Sequence, residues 1–175
     1  MKVMDYVNQG GAIMYILLVF NIIGFTILIW KTLSIVSFKK SLKAIAFDIK
    51  ESTKEIQSTP ATIISFIKDE VATRVHALES GLNTVKIIAS VAPLLGLLGT
   101  VIGILSAFQV IADKGMSDPS LFAGGIAMAL VTTVGGLIVA IPHFIGYNYL
   151  VSSLDDLELN LEKSLIKDLL GKKEA

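Results

Sequence analysis

Residues 87–112 read IIASVAPLLGLLGTVIGILSAFQVIA, a run without one charged side chain. A helix needs about 20 apolar residues to cross the hydrocarbon core of a bilayer, so the run predicts a membrane span. Within it the small residues Ala89, Pro93, Gly96, Thr100, Gly103 and Ala107 recur at steps of four and three. That spacing puts them on one face of a helix. Small residues in a span let another backbone approach closely, so this stretch predicts a helix with a tightly packed side.

Two more blocks have the same character. No charge occurs from Ala12 to Trp30 or from Pro119 to Leu154. The spacing predicts three transmembrane helices, at 12–31, 87–111 and 121–150. Strands are excluded as spanning elements, because three cannot close a barrel and lipid does not tolerate open edges. The third span repeats the small face with Gly125, Ala129, Thr133, Gly136 and Ala140, with Thr132 beside it. The first is dominated by Ile, Leu, Val and Phe and suits lipid. Two readings of the small faces stay open. Spans two and three form a tight pair, or their faces line a lumen shared by several subunits and leave room for a partner helix.

The whole chain agrees. Of its 175 residues, 53% are hydrophobic and 17% charged, against roughly 25% charged in a soluble domain. Mean hydropathy is +0.72. This excludes a soluble enzyme, a disordered chain and a disulfide-rich secreted scaffold. Net charge is zero, so nothing points to nucleic acid. There is no cysteine, and His76 and His143 are too few and too far apart to suggest zinc. No nucleophile–base pairing or phosphate-binding loop is visible, so the chain reads as a non-enzyme with neither metal nor cofactor. A cleaved signal peptide is disfavoured, because the first apolar run is too long and no small-residue cleavage pattern follows it.

Nine of the 15 Lys/Arg residues lie in 31–86 and four after 151, against one before the first span and one in 112–120. Positive charge stays cytoplasmic. The expected fold is therefore an all-α, multi-pass membrane protein, N-out and C-in. It has a periplasmic segment 1–11, a cytoplasmic helical segment 32–86, a periplasmic turn 112–120 and a cytoplasmic helix 151–175. Trp30 marks an interface.

The cytoplasmic part reads as extensions of the spans rather than a separate domain. Thr59-Pro60 predicts an N-cap with proline in the first turn. Apolar residues then follow at Ile64, Ile67, Val71, Val75, Leu78, Leu82 and Val85. With no stop visible, one amphipathic helix is expected over 60–111, on the order of 75 Å at 1.5 Å per residue. Leu150, Leu154, Leu157, Leu161 and Leu165 extend span three in the same way. Residues 32–58 predict helix with a break near Ser58. These stripes suit packing within the chain, between subunits, or both.

Thr100 and Thr133 fall near the centres of spans two and three, so two hydroxyls are expected near the bilayer midplane. Such threonines commonly bond back to their own helix; they can also hold water or meet a partner's carboxyl. Neither span contains Asp, Glu, Lys or Arg, although ion-coupled machines normally keep an ionisable group in the membrane. If ions move, another protein is expected to supply the carboxylate. His143 is the one titratable candidate, either a packed imidazole or a group for proton uptake or release.

The strings Val91-Ala92-Pro93-Leu94-Leu95-Gly96-Leu97-Leu98-Gly99-Thr100-Val101-Ile102-Gly103 and Thr132-Thr133-Val134-Gly135-Gly136-Leu137, with Ala140-Ile141-Pro142 and Tyr147-Asn148, resemble the ExbB/TolQ/MotA family of bacterial proton-channel subunits. The ExbB branch is the most similar; the MotA branch has four spans. The resemblance implies an inner-membrane homopentamer whose second and third spans line a pore around the helices of a small single-span partner of the ExbD type. That partner carries a membrane aspartate, and proton flow drives a TonB-like protein that opens outer-membrane transporters. The family's pore threonines match Thr100 and Thr133. Many members carry a glutamate where this chain has Met128, which is expected to be a packing residue here. Two alternatives remain: a TolQ-like subunit serving envelope constriction, and a non-conducting membrane scaffold. Side chains alone do not separate proton from sodium.

Overall fold

Among the residues that the computed structural model describes, 3–54 and 59–171, the regular structure is entirely helical. The helices are α1 (Val3–Gln9), α2 (Gly11–Lys54), α3 (Pro60–Glu79), α4 (Leu82–Lys114) and α5 (Ser120–Gly171). α2, α4 and α5 are each long and apolar enough to cross a membrane. α2 and α5 continue far past their apolar runs, as the amphipathic patterns require. The expected break near Ser58 lies outside the described residues.

Two features differ from expectation. Residues 60–111 are not one helix: α3 ends at Glu79, and α4 starts at Leu82 after Gly81, whose φ is +87°. Glycine adopts that left-handed backbone at little cost and commonly ends helices there. The apolar period runs through the junction unbroken, which hides it; the Ser80-Gly81 pair is the signal for it. The N-terminal segment also carries a short helix, α1. It turns into α2 at Gly10-Gly11, where Gly11 has φ +62°, and the Gly10 N–H donates to the Tyr6 carbonyl at 3.0 Å.

Thr59 stands at the expected N-cap of α3 with Pro60 next, but its hydroxyl makes no capping bond to the backbone. It lies 2.9 Å from the Thr62 hydroxyl instead. At the start of α5, the Asp118 carboxylate accepts the Ser120 N–H at 2.9 Å. The Ser120 hydroxyl first, and then that backbone bond, hold the Asp118 pKa below the ordinary aspartate value.

The chain divides into two units. One comprises residues 1–28 and 84–147. Its core is Ile13 and Leu17 of α2, Ile88 and Ala92 of α4, and Val139 and Ala140 of α5. The apolar window of α2 is 22% buried, against 33% in α4 and in α5, so the first span keeps most of its surface for lipid or for other chains.

The other unit comprises residues 29–83 and 148–175. Here the stripes read from the sequence become the core: Ile67, Val71, Val75 and Leu82 are at most 2% exposed, and Leu150, Leu154, Leu157, Leu161 and Leu165 at most 5%. Ion pairs flank it. Arg74 donates to Asp48 at 2.6 Å and to Glu70 at 2.8 Å, and its pKa is raised chiefly by the Asp48 bond. Lys50 pairs with Asp168. Such solvent-exposed pairs contribute little stability.

Candidate functional site

α4 and α5 of the first unit meet along their small faces. A β-carbon at Gly136 would fall 2.6 Å from the Ala92 carbonyl oxygen and 3.1 Å from the Gly96 α-carbon. One at Gly103 would fall 2.6 Å from the Gly125 carbonyl oxygen, and one at Gly125 the same distance from that of Gly103. Those atoms are backbone and cannot move aside. Ala89, Gly96, Gly103, Ala107, Ala129, Thr132, Gly136 and Ala140 are buried, and Pro93 is half-buried. Within this chain, then, the small residues serve the tight helix pair. The flanks of α4 and α5 that stay exposed carry large apolar side chains, among them Leu97, Val101, Leu130 and Val134.

The two threonines singled out by depth come together at this contact. Their hydroxyls are hydrogen-bonded to each other. Thr100 Oγ1 also lies 3.1 Å from the Ala129 carbonyl across the interface and 3.3 Å from the Gly96 carbonyl of its own helix. Thr133 Oγ1 lies 3.3 Å from the Ala129 carbonyl and 3.4 Å from that of Gly96. Two hydroxyl protons therefore share two carbonyls and each other. Each hydroxyl donates one proton and accepts at two lone pairs, so the cluster can reverse its donor direction by rotating O–H bonds. Both threonines remain half-buried rather than sealed. A carboxyl group reaching them could be met as donor or acceptor. Thr132, one residue away, is fully buried and bonds only within its own helix, to the Met128 and Ala129 carbonyls at 2.9 and 3.0 Å.

Met128 stands one turn before Thr132 on α5. It is half-buried, and its methyl lies 3.5 Å from where a β-carbon of Gly11 would sit. No group of His, Asp and Glu among the described residues could hold a metal ion.

His143 is fully buried. Its Nδ1–H donates to the Val139 carbonyl one turn back, at 2.6 Å. Its ring meets Phe25 edge-on with centroids 4.8 Å apart. Three glycines outside the small faces are seats for side chains of other helices. Gly24 of α2 takes the His143 ring, Gly99 of α4 takes the Thr132 side chain, and Gly135 of α5 takes Met14. For Gly24 there is a retrospective signal: it is the only glycine between Ala12 and Trp30.

The family model described as the MotA/TolQ/ExbB proton channel family matches residues 36–163. Among curated proteins, the chain is 45% identical over 85 residues to the biopolymer transport protein ExbB of Aquifex aeolicus, covering 49% of this chain and 57% of that one. It is 38% identical over 91 residues to the biopolymer transport protein exbB1 of Vibrio cholerae, covering 51% and 40%. The Tol-Pal system protein TolQ of Haemophilus influenzae is 37% identical over 84 residues, covering 48% and 37%. The matched stretch thus spans about half or less of these relatives' own lengths. With a family match over well more than half of its residues, reached from the same two small-faced helices that bring Thr100 and Thr133 together, the chain belongs to the MotA/TolQ/ExbB proton channel family.

Proposed function

We propose that this chain is the pore-forming subunit of a bacterial inner-membrane proton channel that couples the proton motive force to TonB-dependent outer-membrane transport. One observation carries the reading. Thr100 and Thr133 form a reversible hydroxyl cluster across α4 and α5, within apolar runs that hold no carboxylate of their own. A proton pathway through them needs an acid from elsewhere, and an ExbD-like single-span partner with a membrane aspartate fits that need. Met128, where the family resemblance implies a glutamate, leaves the relay to that aspartate and the two hydroxyls.

In this reading five copies surround the partner, with the N-terminus outside and the long helices of residues 29–83 and 148–175 in the cytoplasm. The small residues hold α4 against α5 inside each subunit. That fixes the hydroxyl pair, and the exposed apolar flanks face neighbours, partner and lipid. The similarity to a TolQ supports a second client, the Tol-Pal envelope system, driven by the same motor. Native mass spectrometry of the complex, extracted through a tag on this chain, is expected to show a five-copy ring holding a small single-span protein with a membrane aspartate. A partner-free ring or a monomer would support the scaffold reading instead. Poor growth of a deletion strain on scarce chelated iron would indicate the TonB client, and detergent sensitivity the Tol client.

A further inference from the structure

His143 presents an unusual balance of bonds. Its Nδ1–H is committed to the Val139 carbonyl at 2.6 Å. That bond leaves Nε2 as the ring's lone-pair atom. Nε2 is buried with no hydrogen-bond partner. It points at the backbone of Gly24 in α2, where a β-carbon would overlap Nε2 and Cδ2 of the ring. The edge-on Phe25 ring closes the site. An acceptor left unpaired costs something. A proton on Nε2 would cost far more, because it would place an N–H and a full charge against a glycine α-carbon with nothing to receive them.

The groups around the site offer that charge no partner in place. Between Ala12 and Trp30, α2 carries one titratable side chain, Tyr15, which donates to Asn8; Lys31 follows the run. On α5 the next is Tyr147, one turn on. On α4 it is Lys86, whose Nζ lies 5.9 Å from the Tyr147 ring. No Asp or Glu occurs in residues 12–30, 87–112 or 119–154.

We propose that His143 and Gly24 form a proton-sensitive latch between the first and third apolar helices: the neutral imidazole seats on Gly24 and holds α2 against α5, and a proton on Nε2 opens the contact. The site takes a proton from water that reaches it when the helices part. It is separate from the threonine cluster and does not rest on the client assigned above. The sign is fixed by the geometry. The latch is closed at higher pH and opens on acidification.

The full chain in lipid bilayers provides the test. H76Q leaves His143 as the only histidine, so its tautomer and protonation are readable by nitrogen-15 magnetic resonance. The chain has no cysteine, and Leu28 of α2 lies against Gly146 of α5, with Cδ1 2.9 Å from a β-carbon placed there. L28C with G146C therefore reports closure by disulfide formation. The resonance should show the neutral Nδ1–H tautomer near neutral pH. Across a pH series from about pH 8 down to about pH 5, the imidazolium signal and the loss of cross-linking should rise together, cross-linking falling about fivefold. H143F, or H143Q if that variant fails to fold, corrects for the pH dependence of the thiols and should lack the fall. G24A should cross-link poorly throughout. An imidazole neutral at about pH 5, a protonated one with cross-linking unchanged, an equal fall in H143F, or G24A cross-linking like the parent would each overturn the latch.

Discussion

Between Ala92 and Ala107, α4 meets α5 backbone on backbone, with glycine α-carbons and carbonyl oxygens in direct approach. In the unit of residues 29–83 and 148–175, helices meet instead through fully buried Val, Ile and Leu side chains such as Val71 and Leu154, edged by Arg74–Asp48 and Lys50–Asp168. The difference follows from the solvent each is built for. In lipid, burying a leucine gains nothing over leaving it among acyl chains, so association comes from close packing and hydrogen bonds. In water, burying a large apolar side chain contributes about 1.5–3 kcal/mol. One chain thus uses two packing rules, and substitutions should fail in opposite ways in its two halves.

The largest effect is expected where the backbone contact has no slack. Gly136→Leu must push α4 and α5 apart, since the atoms it meets are the Ala92 carbonyl and the Gly96 backbone. We expect destabilisation of about 3 kcal/mol or more, measured as loss of folded protein on heating in detergent; Gly136→Ala should already be harmful. In the other unit the harmful direction is toward smaller side chains. Leu154→Ala leaves a cavity where the native residue is wholly buried, for about 2–5 kcal/mol in a denaturant titration. If Leu154→Ala were silent and Gly136→Leu tolerated, the contrast would collapse.

A smaller effect sharpens the picture of the leucine-cored unit. Glu158 of α5 has its carboxyl pKa raised, first by burial, then by Glu162, Glu79 and Asp155. A carboxyl whose pKa is raised by folding weakens the fold as pH climbs through and above the carboxylate range. Glu158→Gln should therefore stabilise near neutral pH by a few tenths of a kcal/mol, about the scale of exposed charge interactions, and the gain should vanish in acid. A stability difference that grew with acidity would reverse the assignment. Asp118, with its pKa lowered by the Ser120 bonds, has the opposite sign. Its cap on α5 is in place above the ordinary aspartate range and is lost as pH falls below it. The protection of residues 120–123 against hydrogen exchange, taken relative to the intrinsic rate at each pH, should fall in acid in the parent and be low at all pH in Asp118→Ala.

Much of this was readable from spacing. The stripe from Leu150 to Leu165 and that from Ile67 to Leu82 repeat a helical period, and both became core. The small faces were legible as faces, but period does not say what covers them. Only the structure shows that Gly96 meets Thr133 and Gly136, so that the hydroxyls touch within one chain. Isolated events leave no period to read. Gly81 breaks a continuous apolar pattern with a single left-handed residue. Gly24 is one residue in a run otherwise suited to lipid, and its meaning depends on a histidine more than a hundred positions away. α1 is too short to carry a stripe.

In the proposed channel the hydroxyl pair, not merely the shape of the helix pair, carries protons. The most direct measurement is proton flux through the reconstituted complex with Thr100→Val, Thr133→Val and the corresponding serine variants. Valine keeps the branched shape and removes the hydroxyl; serine keeps the hydroxyl. Either valine variant should assemble normally and lose at least about tenfold in flux, about 1.4 kcal/mol of barrier, while the serine variants retain most of it. Valine variants that assemble and conduct like the parent would contradict it.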